Sequence, residues 1–149
     1  MKQLAILMFA LFFIACEKDD DKDDTSDNAS EQTDNNIELT TLSEGHYSGL
    51  SGEGYNFMIK TQLELDSIWT IIYANSSLSS DAPEVDFAKE LVLLAYMGTY
   101  PTGGYSIDIT GIELKDGAYS YTISKTSPAE DSVVTTAITA PYHLIRFNR

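Results

Sequence analysis

Residues 91–96 read LVLLAY, a near-continuous apolar run. A strand with one wet face alternates apolar and polar residues, so an unbroken run of this length suits a strand covered on both faces. The sequence around it decides what does the covering. Downstream, Tyr105, Ile107 and Ile109 alternate with their neighbours, as do Tyr119, Tyr121 and Ile123 beyond the turn KDG, which predicts a hairpin. Ile112 and Leu114 fall out of that phase and predict a bulge or a change of face. Val133 to Ile138 and Tyr142 to Phe147 read as two last strands, separated by Pro141, which lacks the amide a central strand requires.

Upstream, Ile37, Leu39 and Thr41 alternate, and so do Tyr55, Phe57 and Ile59, on either side of the glycine-rich turn GLSGEG. Thr61 then has the character of a helix N-cap, with Glu64 three residues on at capping-box spacing. Leu65, Ile68, Trp69, Ile72 and Tyr73 recur at helical intervals on one face, and NSSLSSDAPEV ends the helix. One amphipathic helix packed on a mainly antiparallel β-sheet is an α+β fold. No internal repeat is visible, and one core is expected over residues 37–149.

The first 36 residues are of another kind. Met1 and Lys2 precede the apolar stretch LAILMFALFFI, which has the length of a secretory signal and is well short of the roughly 20 residues of a spanning helix. Phe13, Ile14, Ala15 and Cys16 resemble the lipobox of bacterial lipoproteins, with Phe13 in place of the usual leucine. That resemblance implies cleavage before Cys16 and acylation of its thiol and new amino group, so that several acyl chains hold the protein on a membrane. The expected division is a signal peptide over 1–15, a tether over 16–36 and a single domain over 37–149. Cys16 is the only cysteine, so the mature domain holds no disulfide and no thiolate metal site. The run Glu17, Lys18, Asp19, Asp20, Asp21 resembles an export signal for the outer leaflet of the outer membrane, which implies a surface-exposed outer membrane lipoprotein.

Residues 17–36 carry nine acidic and two basic side chains, net −7, against fourteen and six in 37–149, net −8; Lys2 completes the total of −14. Too polar to bury a core, the tether is expected to be disordered, with an rms span of about 25 Å. Its aspartates lack the alternation and glycine of a calcium-binding loop. A chain this acidic has nothing to displace the counterions of a phosphate backbone, so no nucleic acid partner is expected.

Trp69 on the helix, VDF at Val85 to Phe87, the apolar strand, G-x-x-P-T-G-G-Y at Gly98 to Tyr105, Pro128, and T-A-P-Y at Thr139 to Tyr142 follow one another in an order that resembles the PrcB C-terminal domain family. The resemblance spans about Phe57 to Phe147. It implies a non-catalytic accessory role in protein binding, the family being named after a lipoprotein subunit of a bacterial surface protease complex. An envelope protease or another surface protein is then the expected partner.

Pro101, Thr102, Gly103, Gly104 and Tyr105, with Pro141 and Tyr142, are the candidate partner-binding residues. Adjacent glycines take positive φ and remove bulk, so the backbone at Gly103 and Gly104 can turn sharply and present bare amides. Tyr100 and Tyr105 add rigid amphipathic area. The bland alternative is a tight connection between two strands. Tyr96, Tyr119 and Tyr121 are explained as aromatic pairs across a sheet, the alternative being a glycan- or peptide-binding surface module with tyrosines as its platform. His46 and His143 accompany no hydrolase, zinc or phosphate-loop motif, and Asp66, Glu84, Asp86 and Glu90 read as solvated or capping charges. No catalytic residue, metal site or cofactor is expected.

Overall fold

The computed structural model describes residues 37–77 and 81–149. The signal, Cys16 and the tether lie outside the described residues. Six strands and one helix follow in the order β1 (Leu39–Gly45), β2 (Glu53–Ile59), α1 (Gln62–Ile72), β3 (Glu90–Gly98), β4 (Ser106–Lys115), β5 (Ala118–Thr126) and β6 (Tyr142–Asn148). β1, β6, β3 and β2 form a four-stranded antiparallel sheet in that spatial order, and β4 and β5 form a separate two-stranded hairpin. The fold is α+β, as its residue patterns predict.

The apolar run explains the layering. β3 is central, and all its residues from Leu91 to Gly98 are buried. Val92, Leu94 and Tyr96 face Leu65, Trp69 and Ile72 of α1, together with Tyr142 and Leu144 of β6. Leu91, Leu93, Ala95 and Met97 face the other way, toward Ile107, Ile109 and Ile112 of the hairpin and Ile145 and Phe147 of β6. The core is thus double, one apolar layer on each side of the sheet, because alternate side chains of β3 and β6 point to opposite faces.

Local chemistry sets the ends of the elements. Thr61 Oγ1 accepts the Glu64 amide at 3.2 Å, while the Glu64 carboxylate accepts the Lys60 amide at 2.8 Å, one residue earlier than in the standard capping box. Asp116 and Gly117 turn the hairpin with φ of 53° and 77°. The ladder of β4 slips between Ile109 and Gly111, which returns Ile112 to the buried face. Asp86 Oδ1 accepts the Ala88 amide just before β3, and its ion pair with Lys89 lowers its pKa.

Val133 to Ile138 is not a strand. Val133 is fully exposed and Ile138 largely so, and the stretch runs irregularly from β5 to one isolated bridge between Thr139 and Tyr100. The place between β1 and β3 is taken by β6, and the segment joins no strand ladder before that bridge.

Candidate functional site

Antiparallel pairing brings three connections to one end of the sheet: 46–52 between β1 and β2, 99–105 between β3 and β4, and 127–141 between β5 and β6. The C-terminal end of α1 arrives there too, where the Gly49 amide donates to Ile72 O at 3.1 Å. The chain enters β1 at the opposite end.

The predicted TGGY loop is the middle of this cluster and is bound on every side. Tyr100 and Thr139 exchange two backbone hydrogen bonds of 2.8 Å, and Thr139 Oγ1 donates to Thr102 O at 2.7 Å. The Gly103 amide donates to Thr135 O at 3.0 Å, so it is not bare. Positive φ occurs at Gly104 (90°) and not at Gly103, whose requirement is steric: a Cβ there would lie 2.5 Å from Thr135 Oγ1. At Gly104 a Cβ would come within 2.9 Å of Pro128. His46 Nδ1 donates to Tyr105 O at 2.9 Å, and the rings of Tyr100 and Tyr105 stack with centroids 3.9 Å apart.

The dispersed residues of TGGY, Pro128 and T-A-P-Y therefore meet in one clasp, each constraining another across the loop end. Of the candidate contact residues, Pro101 and Gly104 are exposed and Thr102 and Tyr105 half-buried. Gly103, Pro141 and Tyr142 are buried, which removes them from any face a partner could touch. Tyr142 instead donates or accepts at 2.8 Å with Ser43, whose hydroxyl also meets Tyr73 at 2.8 Å. Burial raises the Tyr142 pKa above that of a free phenol.

Sequence reasoning missed a second constellation on the hairpin face. His143 Nδ1 accepts the Ile109 amide at 3.0 Å, and Nε2 lies 2.9 Å from Thr41 Oγ1 and 3.7 Å from a Glu44 oxygen. Asp108 completes a group with Glu44 and His143 whose ligand atoms lie within 4.8 Å of one another. The hydrogen bonds assign the Nε2–H tautomer, because Nδ1 must present a lone pair to Ile109 N–H. A metal at Nε2 would require the opposite tautomer and set two donors against each other, so the residues do not fit a cation. A slip in β1 between Thr41 and Ser43 makes this arrangement possible: the extra residue puts Thr41 on the His143 face and Ser43 on the Tyr142 face. No residue type in β1 announces that slip.

Comparison with known proteins finds a family match over the clasp. Residues 91–148 match the family described as PrcB C-terminal. Over this segment the chain is similar to the PrcB C-terminal family. The match runs from β3 through β6 and includes TGGY, Pro128 and T-A-P-Y; β2 and α1, which the resemblance read from the sequence takes in, precede it. Curated proteins and solved structures yield no match. Within the segment similar to the PrcB C-terminal family, the residues of TGGY, Pro128 and T-A-P-Y do a structural task, holding loops together at one end of the sheet.

Proposed function

We propose that this protein is a surface-exposed outer membrane lipoprotein, anchored through acylated Cys16, whose folded part is a non-catalytic accessory module that binds a protein of the envelope, with a protease complex as its partner. The observation that carries this reading is the loop end. A clasp that needs no ligand to hold its shape presents Pro101 on the β3–β4 connection, and Val133 and Ile138 on the β5–β6 connection, to solvent. Exposed apolar side chains on a rigid platform bind a partner at low cost in conformational entropy. The family match supports the protease association. The non-catalytic reading is supported by the two histidines among the described residues: His143 has both ring nitrogens engaged, and His46 spends Nδ1 on Tyr105 O.

The test is a mild-detergent pull-down of the lipidated protein from its native envelope, read by mass spectrometry beside a Pro101→Ala/Val133→Ser variant. Both side chains are exposed, so the variant retains its fold. A stoichiometric envelope protease that disappears with the variant supports the proposal. Recovery of the bait alone, even after in-envelope crosslinking, rejects it.

A further inference from the structure

The loop end also contains a cleft of about 630 Å³ between the β1–β2 connection, the end of α1 and the segment leading into β6. We propose that it binds a neutral carbohydrate. Its volume is that of a small-molecule site. Leu50, Ile72 and Ala140 are buried beneath it, whereas Ser51, Asn75 and Thr99 stand exposed around it. A sugar ring has the same division, with an apolar C–H face and a polar rim.

Charge narrows the ligand class. Among the described residues no Asp, Glu, Lys, Arg or His lines the cleft, although the chain carries 23 acidic and nine basic side chains. An anionic ligand would meet a net charge of −14 without a local cation, and a cationic one would find no carboxylate. A wholly apolar ligand would desolvate the surrounding hydroxyl and amide groups without replacing their water. Tyr47 supplies the platform: the residue is 66 % exposed, lines the cleft and stacks on no other ring among the described residues. The side-chain amide of Asn75 has no partner among the described residues and is available to a sugar hydroxyl.

The cleft shares Ile138 with the proposed partner face, but the test of the protein-binding reading uses Pro101 and Val133, neither of which lines the cleft, so the two proposals are tested independently. The experiment is a titration of the full chain with cellobiose, maltose and chitobiose, with glucuronate and glucosamine as charged controls, followed by 1H–15N NMR. At least one neutral disaccharide is expected to shift the Asn75 side-chain amide and the Tyr47 backbone amide saturably in the millimolar range. Tyr47→Ala and Asn75→Ala are each expected to weaken binding about tenfold at unchanged Tm. Four outcomes overturn the proposal: no saturable shift with any of the three disaccharides, shifts that map outside the cleft, equal response to glucuronate or glucosamine, or variants that titrate like the wild type.

Discussion

Gly104 and Pro128 are packed so tightly that a Cβ on the glycine would stand 2.9 Å from Pro128 Cβ, and Gly104 holds φ at 90°. The contact joins the β3–β4 loop to the connection that leads from β5 toward β6. Two residues 24 positions apart in the sequence are thus explained by one another.

Gly104→Ala is therefore expected to cost about 3 kcal/mol, from left-handed strain together with the clash. Gly52 has the same φ of 90° with nothing within 4 Å of the place a methyl would take, so Gly52→Ala is expected to cost only the strain, about 1 kcal/mol. Chemical denaturation of the two variants separates the terms. Equal losses would mean that the Pro128 contact relaxes freely.

Tyr142→Phe is expected to cost about 1 kcal/mol at neutral pH, since Ser43 keeps Tyr73 as a partner. The pH dependence has a definite sign. Burial raises the folded pKa of Tyr142 above 10.0, so above that pH the unfolded chain releases the proton before the native one does. Stability is then fully present below pH 10 and falls as pH rises toward the folded pKa. The phenylalanine variant should lose stability less steeply over that alkaline range in urea titrations; parallel curves would count against the assignment.

His143→Leu leaves the buried Ile109 amide without an acceptor and is expected to cost about 1–3 kcal/mol. Hydrogen exchange locates the effect: the Ile109 amide should lose protection more than the amides of β3. Uniform change, or none, would show that the imidazole merely fills space between sheet and hairpin.

Cys16→Ser is expected to release the protein from the membrane fraction while leaving the melting of the folded part unchanged, because the proposed anchor lies outside residues 37–149. Retention of the variant after a carbonate wash would contradict lipid anchoring.

Much of this architecture is legible residue by residue. LVLLAY marks the strand covered on both faces, Thr61 and Glu64 mark the start of α1, and KDG marks the hairpin turn, because each depends on neighbours a few positions away. The same local pattern misleads at Val133 to Ile138, where β-branched residues suggest a strand but β6 already occupies the place beside β3. Alternation cannot report whether a pairing position is free.

By itself the sequence determined the fold class, the helix, the hairpin and the order of the clasp motifs, since periodicity and turn chemistry act within a few residues. Only the tertiary structure decided that Pro141 and Tyr142 are buried, that Gly104 answers to Pro128, that a slip in β1 sends Thr41 and Ser43 to opposite faces, and that a cleft with no charged side chain among its described walls opens beside Tyr47. These depend on contacts between residues from tens to about a hundred positions apart, whose free energy is realised only once the sheet has closed around them.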